Sequence, residues 1–73
     1  MTKQIFTLNE DSEFIPLDKF LKFMQLVNSG GEAHMVILDG LVKVNGVVEL
    51  QKRKKLRVGD NVEFNDEYIV VEK

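Results

Sequence analysis

Ten lysines and arginines are spread through these 73 residues, yet five of them fall within positions 52–57, as Lys52, Arg53, Lys54, Lys55 and Arg57. Side chains of this type at this spacing are suited to neutralising the phosphates of a polyanion. The whole chain has a formal net charge of −2, which taken alone argues against a nucleic-acid partner. The charge is unevenly placed. Residues 1–40 hold three cations against six acids (−3). Residues 41–57 hold Lys43 and the cluster against Glu49 (+5), and residues 58–73 hold one cation against five acids (−4). The Debye length is about 8 Å at physiological salt, so a ligand at the central patch feels the local charge before the net charge. A solvated strand or loop is the bland alternative. The self-repulsion of the run, with no acid inside it, favours a bound polyanion instead.

Other chemistry is poorly supplied. There is no cysteine, which removes disulfides, thiolate metal sites and thiol nucleophiles, and fits a reducing compartment. The single histidine, His34, has no second histidine or cysteine with which to share a metal. The acids are scattered over turns and helix ends, with no nucleophile–base pair and no paired carboxylates. The residues therefore point to no enzyme, no metal and no cofactor. No apolar run has the length of a signal peptide or reaches about 18 residues, so the expectation is a soluble cytoplasmic protein without a membrane partner. Seventy-three residues set a single domain, burying only roughly 60% of the surface its unfolded chain exposes.

The elements that position the cations follow from local pattern. Residues 4–8, QIFTL, read as an edge strand, and the acidic NEDSE of residues 9–13 as a linker; residues 1–13 are thus an N-terminal strand and linker, and 14–73 the main domain. Pro16 suits a first helical turn. Leu17, Phe20, Leu21, Met24 and Val27 recur at helical spacing, with Asp18 in the first turn and Lys22 four residues on as its pair. Ser29 with Glu32 forms an S-x-x-E capping box, which starts a second helix at Gly30. That helix buries Ala33, Val36 and Ile37, has His34 at the border of the stripe, and stops at Asp39–Gly40. The Gly30–Gly31 pair admits two readings, close packing at the helix corner (favoured two to one) or access for a phosphate to free N–H groups. Alternation in Leu41–Val44 and the Asn45–Gly46 pair predict a type I′ hairpin returning through Val47, Val48 and Leu50. The cationic run comes next, and as an extended strand it would place alternate cations on two faces. A turn at residues 58–61 leads to Val62 and Phe64, a second hairpin at Asn65–Asp66, and a strand over Tyr68–Val71. Phe20 and Phe64 read as core, and Phe23, off the stripe, as core-edge more readily than as a base-stacking residue.

The segment PLDKFLKFMQLVNSGGEAHMVILDGLVKVNG resembles the RNA-binding domain of the ribosomal small-subunit protein four type, the S-four or αL-motif domain. Leu17, Asp18, Lys19, Leu21, Ser29, Ala33, Gly40, Val42, Val44, Asn45 and Gly46 match its pattern, as do Gly59–Asp60 and Val62. The resemblance covers about residues 14–64. The Ser29–Ala33 segment and the basic run are most similar to the small stand-alone bacterial members, the YaaA/YbcJ type. Pro16 and Gly30 stand where the wider family has arginines, and His34 stands where it has a third basic residue.

The elements read from the chain assemble into an α+β fold with two helices packed on a small, mostly antiparallel sheet, in agreement with the resemblance. The resemblance also implies a grip on structured RNA, ribosomal or transfer RNA, at the helix-corner and hairpin surface, and through it contact with the ribosome or a ribonucleoprotein. The RNA-binding set expected on this basis is Lys19, Lys22, Ser29, Gly30, Gly31, His34, Lys43, Lys52, Arg53, Lys54, Lys55 and Arg57. Structured RNA is held mostly through phosphates and 2′-hydroxyls, which is the chemistry these residues offer. The alternative is a protein-interaction module of a ribosome or ribonucleoprotein assembly that does not touch RNA. Phosphate contacts alone do not separate RNA from DNA. Neither the oligomeric state nor the particular RNA is written in these residues.

Overall fold

Short β-prone runs separated by turn residues build most of the chain, and two helices occupy its middle. The structure is a computed structural model describing residues 2–73. Strands β1 (Thr2–Thr7) and β2 (Ile15–Pro16) precede helices α1 (Leu17–Phe23) and α2 (Gly30–Leu38). Strands β3 (Lys43–Val44), β4 (Val47–Val48), β5 (Lys55–Leu56), β6 (Asn61–Phe64) and β7 (Glu67–Glu72) follow.

Two tight turns set the sheet. Asn45 and Gly46 have φ of 54° and 82°, and Asn65 and Asp66 have 54° and 66°. Positive φ at both central residues is the type I′ signature that suits the twist of paired strands. The hairpins β3–β4 and β6–β7 join through an antiparallel β3–β6 pairing, giving the order β1-β7-β6-β3-β4. Strand β1 lies at the edge, as its sequence predicts, but runs parallel to β7 from Thr2↔Glu67 to Thr7↔Glu72. The Gln4 side-chain amide donates to Glu67 Oε1 at 2.6 Å across that pair. Strands β2 and β5 form a separate antiparallel ribbon, with Ile15 opposite Leu56 and Pro16 opposite Lys55. The fold is the expected α+β arrangement of two helices on a mostly antiparallel sheet, with this ribbon added.

One face of the sheet supplies Phe6, Val44, Val62, Ile69 and Val71 to the core, and the helices supply Leu17, Phe20, Leu21, Ala33 and Ile37. Leu56 anchors the ribbon in the same core, and Val36 and Phe64 are only partly buried against it. Fully burying an aliphatic or aromatic side chain of this kind stabilises by about 1.5–3 kcal/mol.

The apolar spacing predicts that α1 continues to Val27, but the helix ends at Phe23. Gln25 takes a left-handed conformation at φ 59°. Its N–H donates to the Lys22 carbonyl, and the Leu26 N–H reaches back to Leu21, both at 3.0 Å. This is a Schellman closure. Val27 is still buried, because the closure folds the chain back onto the core; the spacing tracked burial beyond the helix that began it. Helix α2 ends the same way at Gly40, as its glycine predicts, with Leu41 N–H on the Val36 carbonyl at 3.1 Å. At its start Ser29 Oγ accepts from Glu32 N–H at 3.1 Å, while the Glu32 carboxylate accepts from Asn28 N–H at 2.6 Å. The reciprocal bond of the capping box is thus displaced by one residue. Among the described residues no helix is long and apolar enough to cross a membrane.

Candidate nucleic-acid interface

The first N–H groups of a helix have no partner within it, and α1 has no side-chain cap. The main chain of the basic run takes that place. Leu17 N–H donates to the Lys54 carbonyl at 2.8 Å and Asp18 N–H to the Lys52 carbonyl at 3.0 Å. Lys54 N–H closes the turn onto the Gln51 carbonyl at 3.3 Å. The run is therefore a turn followed by the two-residue strand β5, and not the extended strand with cations alternating on two faces. Its other end is held by Asp60, whose Oδ2 accepts from Arg57 N–H at 2.8 Å and whose Oδ1 accepts from the Asn45 amide at 3.0 Å. Asn45 Oδ1 in turn accepts from Asn61 N–H at 3.1 Å. Residues 52–57 are clamped at both ends, by the start of α1 and by the turn of the first hairpin.

Asp18 ties this turn to α2. Its Oδ2 lies 3.0 Å from His34 Nε2 and its Oδ1 accepts from Lys19 N–H at 2.8 Å. The partner of Asp18 is thus His34 and not Lys22, because the carboxylate, 15% exposed, turns inward between the helices. Burial pushes its carboxyl up. The hydrogen bond from His34, the bond from Lys19 N–H and the charges of His34 and Arg53 outweigh that, so the group sits below its ordinary value. His34, 36% exposed, is a border residue as expected, with this carboxylate as its fixed partner.

Lys52, Arg53, Lys55 and Arg57 are exposed and Lys54 is half-buried. Among the described residues the only ion pair is His34–Asp18, so no carboxylate there neutralises the cluster directly. Lys55 Nζ and the Arg57 guanidinium lie 5.0 and 5.7 Å from the centre of the Phe14 ring, within cation–π range. Phe14 lies just before Pro16 and the helix, and its place in the sequence suggests no role beyond leading into them. Asn45 and Asp60 were legible as turn residues, but nothing local marks their bond to each other.

The remaining expected residues lie apart from this cluster to different degrees. Lys19 and Lys22 are exposed on α1, and Lys19 borders a cleft with Phe14 and Pro16. A side chain at Gly30 would meet nothing within 4 Å, and one at Gly31 only Ser29 Oγ at 3.9 Å. The favoured reading of the pair as close helix packing is therefore corrected: the start of α2 is open. Lys43 lies on β3 opposite Glu63 and shares a shallow groove with Asp66 and Glu67, on the five-stranded sheet and away from the ribbon. Phe20 is buried. Phe23 sits at the core edge as expected, its ring centre 5.2 Å from that of the buried Phe6, but it is 69% exposed. Among the described residues no His, Asp or Glu side chains gather as a metal-ligand set.

Comparison with known proteins gives the same family from three directions. The S4 domain family matches residues 6–72. The chain is 40% identical over 54 residues to the "Probable ribosome maturation protein RlbA" of Bacillus subtilis (strain 168), covering 74% of this chain and 76% of that one. It is 40% identical over 50 residues to YbcJ of Escherichia coli (strain K12), covering 68% and 71%. The solution structure of YbcJ from E. coli superimposes with a TM-score of 0.73 at 32% identity, over 100% of this chain and 91% of that one, and is described as revealing an αL motif involved in RNA-binding. With the helix pair, the Asn45–Gly46 hairpin and the clamped basic turn in place, the chain belongs to the S4 domain family.

Proposed function

We propose that this protein binds structured RNA as a non-catalytic module. Lys52, Arg53, Lys54, Lys55 and Arg57 contact phosphates, and Lys19, Lys22, His34, Lys43 and the open start of α2 at Ser29, Gly30 and Gly31 extend the contact. The observation that carries this reading is the basic turn, fixed by main-chain bonds to the start of α1 and, among the described residues, free of carboxylate ion pairs. Cations on a fixed main chain, none of them in an ion pair among the described residues, fit the regular phosphates of an RNA helix, whose deep major groove side chains cannot read. The description of the E. coli structure supports RNA, and the ribosome-maturation name of the Bacillus relative favours ribosomal RNA and a ribosomal or ribonucleoprotein setting.

The test is binding of a hairpin RNA across a salt series. Contact with about four to six phosphates gives a log–log slope of about −3 to −5. Changing Lys52, Arg53, Lys54 and Lys55 together to Ala flattens that slope by about one unit for each phosphate no longer neutralised, with affinity falling at every sequence alike. Unchanged affinity and slope in that variant would sink the proposal. Competition by a DNA duplex of the same sequence reads the preference for RNA. A partner retained after nuclease treatment, with no RNA bound, would point to the protein-interaction alternative.

A further inference from the structure

A cleft of about 440 Å³ opens between β1, the segment that leads into β2, and α1, and Phe6, Phe14 and Phe23 are among the residues that line it. We propose that this cleft receives a single unstacked RNA base while the flanking phosphates lie on the basic turn; the inference rests on the RNA reading above and adds a subsite to it. Three features lead to it. Phe6 is held in place edge-on by Phe20 at 5.3 Å and in turn holds Phe23 edge-on at 5.2 Å. Phe23 is thereby positioned without being covered, and most of its ring surface faces solvent. An aromatic ring held by one perpendicular ring contact, with most of its surface exposed, is a stacking platform, the means by which proteins take up splayed-out bases of single-stranded loops and bulges.

The second feature is continuity. Phe14 lines the cleft and also carries Lys55 and Arg57 against its ring. A strand whose phosphates follow the basic turn therefore passes the mouth of the cleft. The third is the polarity of the rim. Lys19, Asn9 and Ser12 border the opening and offer donors and acceptors to a base edge. Asp11 and Glu13 border the adjoining hollow. Their charge repels phosphate from the linker side, so the backbone approaches from the side of β5, and only an uncharged base enters.

The probes are two hairpin RNAs with the same stem, one fully paired and one carrying 2-aminopurine as a single bulged nucleotide. The wild-type protein binds the bulged RNA more tightly, and the fluorescence of its bulged base is quenched on binding. Phe23→Leu keeps apolar bulk but removes the aromatic face. It loses about 5- to 150-fold in affinity for the bulged RNA, the range for one stacked base, and leaves the fully paired stem and the salt slope unchanged. Phe23→Tyr retains the preference. Because Phe23 is exposed, both variants keep the fold, which a melting curve verifies. A wild-type protein that binds the paired stem but shows neither preference nor quenching overturns the cleft alone. Equal loss on both RNAs in Phe23→Leu does the same. Failure of the wild type to bind either RNA overturns the RNA reading and the cleft with it.

Discussion

Asp18 is the residue through which the two helices and the basic turn meet, by its side chain on His34 and its main-chain N–H on Lys52, and its charge has a consequence for stability. Its carboxyl is held below the ordinary value in the folded chain, so as pH falls the unfolded chain takes up this proton first. The stabilisation it supplies is complete above the unfolded value of about 3.9 and is lost as pH drops through the folded value. Asp18→Asn should therefore melt below the wild type at pH 6, with the gap closing towards pH 3; a gap that stays constant across that range would remove the ionic contribution. Gln25 offers the opposite case. It holds the left-handed position that glycine normally takes, at a cost of about 1–2 kcal/mol for a side chain. Gln25→Gly should raise stability by about 0.5–1 kcal/mol, because part of that relief is offset by the greater freedom of glycine in the unfolded chain. Urea unfolding would read it. At this scale the sequence was only partly legible. A carboxylate in a first helical turn was plain, but its true partner lies 16 positions away, beyond any local spacing rule.

The elements differ in how far their own residues define them. Both hairpins and helix α2 were legible because each is specified locally, by Asn–Gly or Asn–Asp turns and by a cap and a glycine. The end of α1 was not, since Gln25 carries no left-handed signal. Nor was the ribbon: two-residue strands such as β2 and β5 have no periodicity to detect, and what holds them is main-chain bonding to a distant helix start. The bond between Asn45 and Asp60 joins these two classes of element, because a local hairpin turn fixes the end of the basic turn. Asn45→Gly keeps the positive φ but loses two side-chain bonds, which should cost about 1–2 kcal/mol. Asn45→Ala should cost more, since it adds the left-handed penalty. If the two variants melt alike, backbone conformation is not part of what Asn45 supplies.

For the molecule as a whole, the margin is narrow. A 73-residue chain typically has a stability of about 4–11 kcal/mol, and truncating a buried phenylalanine costs about 3–5 kcal/mol. Among the described residues Phe6 is the only buried one that β1 brings to the core, and it meets the rings of both Phe20 and Phe23. Phe6→Ala should leave a large unfolded fraction at 37 °C by circular dichroism; a fully folded variant would mean that β1 is dispensable. The chain's −2 charge concealed the basic patch, because acids at both flanks cancel the cations between them, and only the regional distribution made it legible. The parallel pairing of β1 with β7 also has a bearing on how the molecule is made. Among the described strands β1 has no neighbour other than β7, so a nascent chain that already holds both helices and the first hairpin can seat Phe6 on α1 but leaves β1 without a strand partner. At about 5–20 residues per second, adding the roughly 60 residues between β1 and β7 takes roughly 3–12 s. The aromatic cleft beside α1, which needs β1 in position, is then the last surface to form.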